Sequence, residues 1–101
     1  MKLLVIAAVQ YFEKEIQQLL NQSEISIYSH MDISGHKKRG DKNLSDNWFA
    51  GGNGDQESVL FFAFAEKKAV EKVMEQVNEF NAHLDTDSPV RAFQLQVEKH
   101  N

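Results

Sequence analysis

The order in which hydrophobic periodicity changes along the chain constrains its fold more than any other feature. Two segments, LLVIAAV near the N-terminus and VLFFAFA in the second half, are apolar at both odd and even positions, which is typical of strands buried on both faces. Two others repeat apolar residues at three- and four-residue spacing, which predicts amphipathic helices. The predicted elements are strand 2–9, helix 12–20, strand 25–33, strand 59–65, helix 70–83 and strand 90–97.

This order of elements, β-α-β followed by β-α-β, predicts an α+β fold of the ferredoxin-like type. Such a fold has one four-stranded antiparallel sheet with both helices on one face. A length of 101 residues fits a single domain, spanning 1–101. The strands carry apolar side chains on both faces, so the face without helices needs a cover. We expect another copy of the chain to supply it, because leaving these groups in water forfeits about 25 cal/mol per Å².

Composition excludes several classes of function. The chain has no Cys, so disulfides, thiolate metal sites and Cys nucleophiles are excluded. A net charge of -4 argues against a nucleic-acid partner. No apolar stretch approaches the roughly 20 residues of a membrane helix, so direct membrane insertion is not expected. The N-terminal apolar run lacks a cleavage pattern of small residues, which favours a buried strand over a secretory signal and predicts a cytoplasmic protein.

A long polar segment, residues 37–58, separates the second and third predicted strands. Loops of more than about a dozen residues are usually functional or disordered, and we expect this one to be flexible. It contains the only Trp of the protein, Trp48, together with Phe49 and Leu44. Trp is enriched in binding hot spots, so we predict that these three side chains bind a partner. The alternative is that Trp48 folds back onto the protein's own surface.

The end of the second predicted strand carries the run SGHKKRG at residues 34–40. This run resembles the junction that follows the second strand in the PII signal-transduction superfamily, a Gly-x-Gly and then a basic segment ending in Gly. The element order and the position of the loop are similar to that superfamily over nearly the whole chain. The resemblance implies a homotrimer with its sheets facing inward, a ligand site in the clefts between subunits, and a loop equivalent to the T-loop that signals to a partner.

Two features depart from the family pattern. The turn between the second helix and the last strand is Gly-rich in nucleotide-binding members, but here residues 81–89 read NAHLDTDSP, with no Gly and two Asp. Their charge opposes a polyphosphate. The loop also has no Tyr to match the one that is uridylylated in nitrogen-sensing members. The resemblance therefore implies a divergent member related to the CutA and metal-efflux-associated groups, for which a membrane transporter or efflux protein is a candidate partner of the loop.

Basic residues at the base of the loop are the candidate ligand site. Lys37, Lys38 and Arg39 follow Gly35, and Arg91 can join them from a neighbouring subunit. Charge and backbone amides at such a place suit phosphate or bicarbonate, so an adenine nucleotide is a candidate ligand. The alternative is a charge run that only keeps the loop base solvated.

A metal site at the same junction is the second candidate. His30 and Asp32 share one face of the predicted strand, and His36 follows it. Imidazole and carboxylate suit divalent zinc, copper or nickel, and in a trimer one His from each subunit can form a three-histidine site on the axis. The alternative is a half-buried strand histidine and a solvated loop histidine.

Two functions follow from these candidates. The first is a trimeric PII-like sensor that binds a small ligand or metal ion between subunits and signals through the 37–58 loop. The second is a divalent or copper metal-binding protein of metal tolerance or efflux, without an effector loop. No spacing pairs a nucleophile with a base, so we do not expect an enzyme.

Overall fold

The structure, a computed structural model, describes residues 1–36, 56–84 and 88–101. Its elements are β1 (Lys2–Val9), a 3₁₀ turn (Gln10–Phe12), α1 (Glu13–Asn21), β2 (Ser29–Gly35), β3 (Gln56–Ala65), α2 (Lys67–Ala82) and β4 (Arg91–Gln96). The strands form one sheet in the order β2-β3-β1-β4, and every neighbouring pair is antiparallel. The predicted ferredoxin-like α+β fold is confirmed.

Strand β1 lies at the centre of this sheet, between β3 and β4. Its even-numbered side chains Leu4, Ile6 and Ala8 are at most 1% exposed and belong to the core beneath the helices. Its odd-numbered side chains point to the other face, because neighbours along a strand alternate. The two-sided apolar pattern of residues 2–9 is thus explained by a central strand, as predicted.

The core fills the space between the even-numbered face of β1 and the two helices. The helices supply the side chains that their periodicity predicted, and β3 supplies large partners from the sheet. These buried residues are Ile16, Leu20, Val59, Phe61, Val70, Val73 and Val77. At one end of the layer, the rings of Phe12 and Phe80 meet edge to face with centroids 5.5 Å apart, which joins the start of α1 to the end of α2. In the part of the chain that the structure describes, no helix is both long and apolar enough to cross a membrane.

Three predicted boundaries were wrong by a few residues. The third strand begins at Gln56, so residues 56–58 belong to β3 and not to the loop. Helix α2 begins at Lys67, three residues earlier than predicted. The prediction was late because the first turn of the helix is too polar to show in the apolar periodicity. The second strand begins at Ser29, four residues later than predicted. Residues 25–28 alternate in sequence, but Ile25 is buried in the core while Ile27 is 83% exposed, and neither pairs with a strand.

Asn81, in the last turn of α2, fixes the position at which β4 begins. Its Nδ2 donates to the carbonyl oxygen of Val90 at 2.8 Å, and the Val90 N–H donates to Asn81 Oδ1 at 2.9 Å. The side-chain amide therefore replaces the backbone neighbour that Val90 would have within a sheet. Val90 is only 1% exposed, so water does not readily replace these bonds.

Replacement of Asn81 by Ala should destabilise the protein by about 1–3 kcal/mol, because both backbone groups of Val90 then lose their partner while buried. For a domain of this size, each 1 kcal/mol lowers the midpoint of thermal unfolding by roughly 4–8 °C. The matched control is Asn78→Ala, an exposed Asn on the same helix. Equal melting temperatures for the two variants, measured by circular dichroism at one protein concentration, would contradict this role of the Asn81 side chain.

Candidate ligand site and subunit-contact face

The sheet face opposite the helices is lined by apolar rows that cross three strands. Leu3 lies between Phe64 of β3 and Leu95 of β4, and Val5 lies between Phe62 and Phe93. Side chains paired in this way point to the same face and contact one another. The rows continue towards the loop end of the sheet through Ala7, Leu60 and Met31.

This apolar face, which we call the bare face, is partly open to water. Phe64 is 57% exposed, Leu95 is 50% exposed and Met31 is 48% exposed. Single exposed apolar side chains are ordinary, but a continuous apolar surface over several strands marks a contact site. The bare face predicted from the sequence is therefore present.

Ser58 is a polar exception on the bare face. It lies between Val9 of β1 and Ile33 of β2, close to the loop end, and is 1% exposed. Its hydroxyl has no hydrogen-bond partner within the described residues. The sequence pattern does not reveal it, because this Ser precedes the apolar run VLFFAFA and lies in the segment predicted to be a loop.

The predicted ligand residues that the structure describes lie on opposite edges of the sheet. Gly35 ends β2 and is buried, and Arg91 begins β4, where it pairs with Ala7. The edges are three strand spacings apart, about 14 Å at the usual separation of strands. One subunit therefore does not bring Gly35 and Arg91 together. The other predicted residues of the ligand and partner sites, Lys37, Lys38, Arg39, Leu44, Trp48 and Phe49, lie outside the described part of the chain.

The predicted metal ligands are only partly brought together. His30 and Asp32 share a face, as predicted, because their cross-strand neighbours are Phe61 and Val59 of the core. His36 lies six residues beyond His30, which is about 20 Å along an extended strand. Accordingly, no group of three His, Cys, Asp or Glu residues among those described is placed to hold a metal ion.

His30 is directed to the helix side of the sheet. Its ring lies 5.3 Å from the ring of Phe61, centroid to centroid, and its Nε2 is 3.5 Å from Nε2 of Gln17 on α1. His30 therefore points away from the bare face. In a trimer with inward-facing sheets it would not reach the axis, and the three-histidine site stays a prediction.

Comparison with known proteins gives similarity in structure and not in sequence. No protein-family model and no curated protein sequence matches the chain. A candidate PII-like signalling protein from Thermus thermophilus is similar with a TM-score of 0.64 at 15% identity, over 93% of this chain and 83% of that one. CPII from Thiomonas intermedia K12, a nitrogen regulatory PII-like protein, is similar in its apo form with a TM-score of 0.64 at 18% identity, over 95% and 89%.

A second structure of CPII, bound to ADP, AMP and bicarbonate, is similar over 99% of this chain and 94% of that one, with a TM-score of 0.64 at 17% identity. At such identities the likeness extends to the fold alone. The four-stranded antiparallel sheet with its two helices agrees with that likeness. The chain has the fold of the PII-like signalling proteins.

Proposed function

We propose that the chain is a PII-like regulatory protein that forms a ring of subunits and binds a small anion in the clefts between them. The observation that carries the proposal is the separation of Gly35 and Arg91 on the two edges of a sheet whose bare face is apolar. A regulator of this kind senses a ligand and reports it, so the proposal assigns no catalytic step to the chain.

Assembly through the bare face follows from its exposed apolar groups. Contact with further copies removes Phe64, Leu95 and Met31 from water, which contributes roughly 25 cal/mol for each Å² buried. Such contact also gives the buried Ser58 hydroxyl a source of hydrogen-bond partners. The resemblance to the PII superfamily makes a homotrimer with inward-facing sheets the preferred arrangement.

A cyclic assembly brings together the two edges that one subunit holds apart. In a ring of three, each contact is heterologous, so one side of a subunit meets the other side of its neighbour. The β2 edge with Gly35 then lies beside the neighbour's β4 edge with its Arg91. This arrangement supplies a guanidinium next to the backbone that leads into Lys37, Lys38 and Arg39, a suitable environment for an anion.

The chemistry of the cleft favours a small anion. CPII, which shares the fold, binds ADP, AMP and bicarbonate. In this chain the segment that leads into β4 contains Asp85 and Asp87, which lie outside the described residues but whose charge opposes a long polyphosphate. We therefore propose AMP or bicarbonate before ATP as the ligand.

The 37–55 segment then reports the state of the cleft to a partner. It begins at the proposed anion site, and its sequence carries Leu44, Trp48 and Phe49 as groups for a protein contact. A membrane transporter or efflux protein is a candidate partner through the family resemblance. The alternative of a metal-binding protein has less support, because His30, Asp32 and His36 are not brought together in one chain.

A thermal-unfolding panel tests the ligand. Metal-stripped protein is melted with AMP, ADP, ATP and bicarbonate, and separately with zinc, copper and nickel ions. A ligand that binds only the folded state adds about 2.7 kcal/mol at 100 times its dissociation constant. We therefore expect a rise of several degrees with AMP or bicarbonate, and a smaller rise in Arg91→Gln.

The control for Arg91→Gln is Lys72→Gln, which removes a cation from the exposed side of α2. An equal shift in the parent and in Arg91→Gln would contradict the proposed cleft. A shift with a metal ion alone, lost in His30→Ala, would instead support the metal-binding alternative.

A charge placed on the bare face tests the assembly. We expect the double variant Phe64→Arg with Leu95→Arg to fall to the 11.6 kDa mass of one subunit, while the parent protein has a multiple of that mass. Both positions are at least half exposed in the single chain, so its folding tolerates Arg there. Analytical ultracentrifugation gives the mass.

Ile27→Arg is the matched control, because Ile27 is 83% exposed and precedes β2 outside the sheet. It should leave the mass of the assembly unchanged. A monomeric parent protein would contradict assembly through the bare face.

A further inference from the structure

A groove of about 370 Å³ runs between α1 and α2 on the outer side of the helix layer. Its apolar part is formed by Leu19 and Phe80, which pack against the core from above. Its polar part contains two carboxylates, Glu15 and Glu79, together with three Gln side chains and His83. A groove of this size and mixed lining can hold one or two side chains of a partner.

The groove carries negative charge that its own lining does not balance. None of the described side chains that line it is Lys or Arg. Along α2 the cations Lys67, Lys68 and Lys72 all lie in the first half of the helix, away from Glu79. The last turn of α2 has no basic residue, although the negative end of the helix dipole lies there. A cation from outside is therefore favoured at this end of the groove.

The groove offers several hydrogen-bond acceptors beside the amide donors of its Gln side chains. Gln76 Oε1 is buried and has no donor within the described residues. His83 Nδ1 lies 2.9 Å from the carbonyl oxygen of Glu79, and since a carbonyl only accepts, Nδ1 carries the proton and donates. In the neutral ring this makes Nε2 an acceptor. With the two carboxylates, the groove matches a group that offers several donors.

We propose that this groove docks a segment of a partner protein that carries Arg next to an apolar side chain. A guanidinium supplies five donors and a fixed positive charge for Glu15 and Glu79, and its plane can stack on the ring of Phe80. The apolar neighbour completes the contact with Leu19. The groove lies on the side of the molecule away from the bare face, so it stays accessible when the bare face is covered, and it does not depend on the proposed ligand cleft.

The test is an NMR titration of ¹⁵N-labelled protein with the peptide acetyl-Leu-Arg-Leu-amide. Its comparison peptide has citrulline in place of Arg, which keeps the shape and removes the charge. We expect the Arg peptide to shift amide signals of Leu19, Gln76 and His83, and the citrulline peptide to bind at least tenfold more weakly. The double variant E15Q/E79Q should weaken the Arg peptide by roughly tenfold, as expected for the loss of two partly exposed ion pairs.

The matched control is E24Q/E71Q, which removes the same charge from two exposed positions that do not line the groove. Its affinity should equal that of the parent protein. Equal weakening by both double variants would mean a general effect of net charge and would overturn the proposal. So would equal shifts with both peptides, or shifts confined to the bare face. Groove signals that move with protein concentration and not with peptide would indicate a second copy of this chain as the occupant and would also overturn it.

Discussion

Strand β1 carries apolar side chains on both faces, but the helices cover only one of them. On the covered face, Leu4 and Ile6 pack under α1 and α2 and join the helices to the sheet. On the other face, Leu3 and Val5 are flanked by further apolar residues on both neighbouring strands. Within the described residues, no third layer covers them. In the single chain the core is therefore closed, while the bare face is partly open to water.

The strand order determines where the proposed ligand residues lie relative to the bare face. Because β1 and β3 occupy the centre, β2 and β4 form the edges, and the residues singled out for ligand binding are divided between those edges. A mutation on either edge would therefore affect one half of the proposed shared site. Binding of a ligand in such a cleft is also coupled to assembly, since the ligand contacts two subunits and stabilises the ring that contains it. The proposed sensing and the proposed oligomer are in this sense one equilibrium.

The parts of the structure that the sequence predicted well are those fixed by local pattern. The bounds of β1 were predicted because both faces are apolar from residue 3 to residue 9, between the polar residues Lys2 and Gln10. The start of β2 was not, because alternation at Ile25 and Ile27 does not reveal whether a neighbouring strand is present to pair with them. The contact of Asn81 with Val90 is also invisible in the sequence, since it depends on how α2 approaches β4 in space.

The candidate sites were predictable to a similar degree. Sequence spacing placed His30 and Asp32 correctly on one face, but it did not say which face, and the pairing of His30 with Phe61 decides that it is the helix side. Gly35 and Arg91 were predicted to act together from different subunits, and the sheet order agrees with their separation in one subunit. The groove between the helices was not predicted, because residues of both helices line it. The apolar periodicity of one helix does not show how far the other helix lies from it.

The two proposed surfaces differ in the forces that act on them. The bare face offers apolar area, which suits the proposed lasting contact with identical copies and does not rely on attraction between charges. The groove between α1 and α2 offers partly exposed carboxylates, whose attraction for a cation is weakened by salt and is largely screened beyond about 8 Å at physiological ionic strength. Contacts of the second kind form and dissociate more readily than apolar interfaces do. The proposed regulator would use both kinds of surface, a stable frame for the proposed ligand clefts and a reversible contact with a partner, and the two surfaces lie on opposite sides of the sheet.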